Sequence, residues 1–395
     1  MEIVRGVSIK NIFLDNKNWH DFFCDNKDNL RTAITDNVLK MLSCKTHLMG
    51  YHKYVCPKCK DHYRVVNHTC KSRFCSSCAK KATDEWINKS NDKLPNTLWQ
   101  HITFTLPDIY WNLFWLNRDL MGIVCKIAAD IIKKIADDRN IDIGIFLVIH
   151  TFGRDLKRNY HIHLSVTLRG MCKDKKKIKK IYFDHQLLKN KWKYCITNFL
   201  RKRYKSGNLN LPKSWHRFNS ILNENYKKQW VVHLGKPCKH EKNINYLGKY
   251  LKRPPIGEAR IKSYNGNNVS FDYLDHYDKK IKTVIILAID FIKRLICHIH
   301  DKHFRVIRYY GILSNRRISK DLPIFNKLLE IENQKPEKKN YNKEKISFRS
   351  MFIKAFAKDP LECPKCKISM LQSIVCYFDK LLLRSLHKQI AQKIV

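Results

Sequence analysis

Asn159-Tyr160-His161-Ile162-His163-Leu164-Ser165-Val166-Thr167 reads as a β-strand carrying two imidazoles on one face. Strand side chains repeat with period two, so His161 and His163 point the same way, ~6.5–7 Å apart along the strand, and can close on a single divalent ion. Alone the pattern is weak, because the chain holds 18 histidines and a second His-x-His at His298-Ile299-His300. It gains weight from Tyr246-Leu247-Gly248-Lys249-Tyr250 further along. Residues 239–252 read as a helix, and four-residue spacing projects Tyr246 and Tyr250 from the same side. Pro254-Pro255 stops that helix.

Around this pair the chain alternates strand and helix signals. Ile143 to Thr151 is a buried strand, and Gly153-Arg154-Asp155 turns it into an antiparallel hairpin with the His161 strand. Leu98 to Leu106, rich in β-branched and aromatic residues and ended by Pro107, is another strand. Residues 118–136 follow a helical period, with Leu120, Ile123, Ile127, Ile131 and Ile135 on one face. Trp230 to Leu234 is a short strand, and Thr283 to Leu295 is a helical stretch running up to the second His-x-His. The expected fold class is α+β: an N-terminal zinc ribbon, then a core with an antiparallel sheet flanked by helices. The expected boundaries are an N-terminal helical and zinc-binding segment (1–92), a core (93–330) with a basic helical insertion (173–229), a charged linker (331–347) and a C-terminal appendage (348–395).

Fifteen cysteines in a chain with no export signal suggest metal where clustered and packing where isolated. Cys24, Cys125, Cys195, Cys238 and Cys297 are isolated. Cys56-Pro57-Lys58-Cys59 and Cys75-Ser76-Ser77-Cys78 are two Cys-x2-Cys knuckles, and two such turns complete a thiolate tetrahedron for zinc. The expected ligands are Cys56, Cys59, Cys75 and Cys78, with Cys70, His68 and His52 near enough to replace one of them. Arg64, Lys71 and Arg73, beside Tyr63 and Phe74, make a basic and aromatic surface suited to nucleic acid. Cys363-Pro364-Lys365-Cys366 is half a tetrahedral site with no nameable partner.

Lys and Arg number 77 against 35 Asp and Glu, a net charge of +42, which implies a polyanionic partner. No apolar run approaches the ~20 residues that span a bilayer, and Met1 to Lys10 has no signal-type apolar segment. The expected location is cytoplasmic and nucleoid-associated, with no membrane partner; the oligomeric state is not legible.

An ordered set of motifs then points to a family. Cys44-Lys45-Thr46, the two knuckles, His101-Ile102-Thr103-Phe104-Thr105-Leu106-Pro107, His150-Thr151-Phe152-Gly153, His161-Ile162-His163 and Tyr246-Leu247-Gly248-Lys249-Tyr250 occur in one order. They are followed by Arg253-Pro254-Pro255-Ile256, Ile307-Arg308-Tyr309-Tyr310-Gly311 and Asp359-Pro360-Leu361-Glu362-Cys363-Pro364-Lys365-Cys366. From about residue 40 to 370 the chain resembles the rolling-circle transposases of the insertion-sequence-ninety-one family, which are two-tyrosine HUH nucleases. It departs from them at Gly170, a single glycine where a pair is usual, and over 173–229, which carries no family motif.

The resemblance implies a DNA transposase that nicks and joins single strands at element ends, with DNA, both ends and target, as its partner. Tyr246 and Tyr250 would be the nucleophiles, and a phenol needs a polarised phosphate, the task of Mg²⁺ or Mn²⁺ on His161 and His163. The family's neighbouring strand points to His150 as third ligand; His101, Asn243 and His240 are the alternatives. Lys249 and Arg253 are expected phosphate contacts, and zinc is the structural metal. A plasmid replication initiator or relaxase, and a non-enzymatic zinc DNA-binding regulator, are the competing functions.

Overall fold

The computed structural model describes residues 7–251, 254–275, 278–333, 349–350, 353 and 358–377. Its centre is a five-stranded antiparallel sheet of β3 (Trp99–Thr105), β5 (Gly144–Phe152), β6 (Arg158–Thr167), β9 (Val232–Leu234) and β13 (Ile307–Gly311), in the order β13-β5-β6-β3-β9. The hairpin of β5 and β6 pairs Ile145 with Val166 and His150 with His161, and β3 pairs Thr103 with His163.

This register sorts side chains by parity, as the period of two demands. Ile102, Phe104, Ile145, Leu147, Ile149, Ile162, Leu164 and Val166 all face one side. There they meet α6 (Leu120–Asp137) and α7 (His185–Lys205) in the largest buried cluster. Helix α6 contributes Leu120, Val124, Ala128, Ile131 and Ile135, a stripe at intervals of three and four. Leu188, Trp192, Ile196 and Leu200 do the same for α7, whose first turn is capped by the Asp184 carboxylate accepting from Leu187 N–H at 2.6 Å. The basic stretch 173–229 therefore supplies sheet-covering helices, α7 and α8 (Phe218–Lys227), along with β8 (Ile178–Lys180). Strand β8 pairs with β7 (Arg169–Cys172), which pairs with β4 (Ile141–Asp142). Gly170 sits in β7 where a Cβ would lie 2.8 Å from Asp142 O, so the close approach requires glycine.

The opposite face of the sheet carries His101, Thr103, Phe146, Val148, His150, His161, His163 and Ser165. Part of it is covered by α4 (Ser76–Lys93) and α9 (His240–Leu251), with Trp86, Trp99, Phe146, Val148, Ile244 and Leu313 forming a second core. Helix α4 is tied to β13 by Trp86 Nε1–H donating to Tyr309 Oη at 3.0 Å. A third core joins α1 (Ile9–Leu14), α2 (Asn18–Asn26) and α3 (Thr32–Ser43) to β10 (Ile261–Tyr264), β11 (Asn268–Leu274), β12 (Ile281–Leu287) and α10 (Ala288–Ile296). Helix α5 (Trp111–Leu116) caps the sheet near Tyr160, and α11 (Ile318–Asn333) packs Phe325 and Leu329 on Met171.

One element differs from expectation. Thr283 to Leu287 is not the start of a helix but the greater part of β12, paired residue for residue with β11, and the helix begins at Ala288. Thr283, Val284, Ile285 and Ile286 are all β-branched, and such side chains pack better on a pleated surface than on a helix. No helix among the described residues is long and apolar enough to cross a bilayer.

Candidate active site and metal centres

Three imidazoles converge on the partly covered face of the sheet. His150, His161 and His163 bring one ring nitrogen each to within 4.8 Å of one another. The sheet register explains it: His150 lies opposite His161 across the hairpin, and His163 follows His161 by one period. His161 Nδ1–H donates to Asn159 O at 3.0 Å, which leaves the lone pair on Nε2. Burial, reinforced by His150, His161 and His101, pushes His163 well below the ordinary histidine pKa. At neutral pH its ring is therefore uncharged.

Of the alternatives for third ligand, none joins the trio. His101 instead stacks on His163 at a ring separation of 5.2 Å, with Nε2 3.1 Å from His163 Nδ1 and 3.1 Å from Thr103 Oγ1. Burial holds His101 at about 4, so this contact joins two neutral rings. Asn243 uses its amide oxygen to accept from Ser165 Oγ at 2.6 Å, which pins α9 to β6. His240 is buried at the start of α9. The decoy His298 is bonded on both nitrogens, to Thr151 Oγ1 at 3.1 Å and Leu156 O at 3.0 Å.

Tyr246 stands 43% exposed on α9, its ring 5.1 Å from that of His101 and set edge-on to it. The phenol thus lies beside the imidazole cluster and open to a substrate. Tyr250 follows one turn later on the same helix; its side chain, that of Lys249, and Arg253 as a whole lie outside the described residues. Gly248, on the face of α9 turned away from solvent, meets α4: a Cβ there would stand 2.4 Å from Ile87 Cγ1.

Helix α4 starts in a thiolate cluster. Cys44 at the C-terminus of α3, Cys70, Cys75 at the N-cap of α4 and Cys78 in its first turn are all buried, with Cys44 and Cys70 each 3.6 Å from Cys78, sulfur to sulfur. A tetrahedron with Zn–S arms of ~2.3 Å has edges of ~3.8 Å, so the donor set and spacing fit zinc. Hydrogen bonds from Cys44 and Cys70 drive the Cys75 thiol far below its usual range, and the helix N-terminus favours thiolate further.

The expected grouping of Cys56 and Cys59 with Cys75 and Cys78 is corrected here. Cys56 and Cys59 form the tip of the hairpin β1 (Gly50–Val55) and β2 (Tyr63–Asn67), whereas Cys44 and Cys70 flank its base. Six residues of strand separate tip from base by roughly 20 Å, far beyond a shared ion. Cys44 was the ligand overlooked in sequence; its signal was that Cys44 and Cys70 bracket the hairpin symmetrically. Cys56 and Cys59 meet Cys363 and Cys366 instead.

Among the basic residues, Arg64 and Lys71 are exposed, on β2 and just before α4. Arg73 is half-buried in a cleft of about 290 Å³ shared with Lys71 and Arg305, where desolvation pushes it down to about 10.

Residues 15–106 match the family model of the transposase zinc-binding domain, and residues 144–320 that of a putative transposase. The chain is 36% identical over 376 residues to the transposase for insertion sequence element IS801 of Pseudomonas savastanoi pv. phaseolicola, covering 92% of this chain and 88% of that one. It is 27% identical over 343 residues to the putative transposase y4qJ of Sinorhizobium fredii (strain NBRC 101917 / NGR234), covering 82% and 84%. No solved structure matches. With its zinc-binding module at the N-terminal end, an antiparallel core and a relative that covers nearly its whole length, the chain belongs to the insertion-sequence-ninety-one (IS91) family of transposases, enzymes whose partner is DNA.

Proposed function

We propose that the chain transposes its element by nicking and rejoining single DNA strands at the element ends through 5′-phosphotyrosine intermediates on Tyr246 and Tyr250. The observation that supports this is the meeting of three imidazoles, from two paired strands, with an exposed phenol on the adjoining helix. His150, His161 and His163 would hold a Mg²⁺ or Mn²⁺ ion, and imidazole donors favour Mn²⁺. When bound, that ion polarises the scissile phosphate and eases departure of the 3′ oxygen.

The protein's own groups do the rest. The Tyr246 phenol gives up its proton to solvent and its oxygen attacks the phosphorus, an O–P bond forms, the bond to the 3′ oxygen breaks, and that oxygen takes up a proton from solvent to leave a 3′-OH. Reversal by an incoming 3′-OH releases the tyrosine and joins the new strand without external energy. A second tyrosine on the same helix face holds a second 5′ end while the first is engaged. Exposed Arg64 and Lys71, together with Lys249 and Arg253, would bind phosphates.

The test uses a single-stranded oligonucleotide carrying the element end. Tyr246→Phe with Tyr250→Phe should eliminate the covalent adduct on a denaturing gel. His161→Ala with His163→Ala should abolish divalent-dependent nicking while DNA binding persists. An adduct that survives the double Tyr→Phe change places the nucleophile elsewhere.

A further inference from the structure

The C-terminal Cys363-Pro364-Lys365-Cys366 knuckle, an unpartnered half-site in sequence, lies against the tip of the β1–β2 hairpin. We propose that Cys56, Cys59, Cys363 and Cys366 form a second structural zinc site, assembled from the two ends of the chain and separate from the zinc site on α4.

The two knuckles are copies of one local structure. Each has the sequence Cys-Pro-Lys-Cys-Lys, at 56–60 and at 363–367. In each, the last lysine N–H returns to the first cysteine carbonyl, Lys60 to Cys56 at 3.1 Å and Lys367 to Cys363 at 3.0 Å. The same lysine is left-handed in both, with φ of 55° at Lys60 and 60° at Lys367. This tight turn aims two sulfurs from one strand end at a common point, the geometry a thiolate metal site uses.

The sulfurs meet as a tetrahedral site needs. Cys56 lies 3.2 Å from Cys366, and Cys59 lies 3.5 Å from Cys363 and 3.7 Å from Cys366, all four sulfurs falling within 4.8 Å. These separations sit near the ~3.8 Å edge of a zinc tetrahedron and well beyond the ~2.05 Å of a disulfide. All four cysteines are free thiols.

What the site holds is also plain. Just upstream of the hairpin tip, β1 takes β14 (Leu371–Tyr377) as its second neighbour, Val55 opposite Leu371, in the sheet β14-β1-β2. Among the described residues of 358–377 only Cys363 and Met370 are buried, while Leu371, Ile374 and Tyr377 are exposed. A segment with so little apolar burial has no core of its own, and metal supplies the missing constraint in small modules of this kind.

Zinc content of the full-length protein, purified without chelator and measured by native mass spectrometry and elemental analysis, tests the proposal. The expected result is two zinc ions per chain. Cys363→Ser with Cys366→Ser, and independently Cys56→Ser with Cys59→Ser, should each lower it to one without loss of helical content. If those variants do not fold, the cobalt-substituted native chain decides, since eight thiolates give about twice the sulfur-to-cobalt charge-transfer absorbance of four. One zinc per native chain, or two retained after Cys363→Ser with Cys366→Ser, overturns the second site; iron in its place overturns the metal.

Discussion

Replacing Gly248 by alanine tests whether the zinc-anchored helix α4 sets the position of Tyr246. The added Cβ would stand 2.4 Å from Ile87 Cγ1 and 2.6 Å from Cδ1. Carbon atoms rest comfortably at ~3.5 Å or more, so α9 must retreat by about 1 Å unless Ile87 moves. Ile87 is β-branched and helical, which confines its first torsion to one well and makes yielding costly. Overpacking costs ~1–3 kcal/mol and the glycine-to-alanine gain in a helix returns ~1 kcal/mol, leaving a net destabilisation of only ~0–2 kcal/mol. Melting temperature is thus a poor reporter, but position is a sensitive one: a ~1 Å displacement of a reacting group costs on the order of 100-fold in rate. The assay is the rate of covalent adduct formation on a single-stranded end oligonucleotide. Gly248→Ala should slow it by about that factor with zinc content unchanged, and adding Ile87→Ala should restore most of the rate by giving the methyl room. Wild-type rates for Gly248→Ala, or a double variant as slow as the single, would refute the idea that α4 positions the tyrosine helix.

Binding to non-specific DNA should weaken by ~10³–10⁵ between about 50 and 200 mM salt if roughly six to ten phosphates are neutralised, and a flat response in a fluorescence titration would mean that the excess of 42 positive charges does not grip DNA. Gly311→Ala should lower thermal stability by at least ~2 kcal/mol, because φ is 62° there and a Cβ would fall 1.9 Å from Ile143 O; an unchanged melting curve contradicts this. Burial holds His298 at about 4, below its unfolded value, so the unfolded chain takes up the proton first. Stability from this group is whole above about pH 6.5 and declines as pH falls toward 4, and denaturant titrations of His298→Gln should show a flatter decline over that window. Strong chelation should raise hydrogen exchange at the start of α4 before it affects β5 and β6, since the Cys44 cluster is what holds that helix end.

Much of the candidate site was legible because it obeys local periodicity. His161 and His163 share a face by strand parity, His150 joins them through one hairpin, and Tyr246 follows from a helix whose limits a proline pair marks. The metal centres were only half legible. Cysteine spacing predicts that a knuckle forms but not which knuckle it faces, and here a hairpin carries Cys56 and Cys59 a strand's length from Cys75 and Cys78. Partners some 300 residues away, such as Cys363, leave no local signal. Thr283 to Leu287 was misread because a short apolar run suits strand and helix alike until its pairing with β11 decides.

The parity of the central sheet has a consequence for how the gene can change. Between Phe152 and Arg158 the chain turns through Gly153 to Lys157, closed by Gly153 N–H donating to Lys157 O at 2.8 Å, with Leu156 left-handed at a φ of 65°. Arg154 and Lys157 are exposed in this connection while Leu156 is fully buried, and a one-codon insertion or deletion that slipped β6 by one position would turn Ile162, Leu164 and Val166 outward and drive His161 and His163 into the apolar layer against α6 and α7. Reading-frame-preserving indels at this turn should therefore be as damaging as loss of the imidazoles themselves, so the length of a short connection is under the same selection as the residues it aligns.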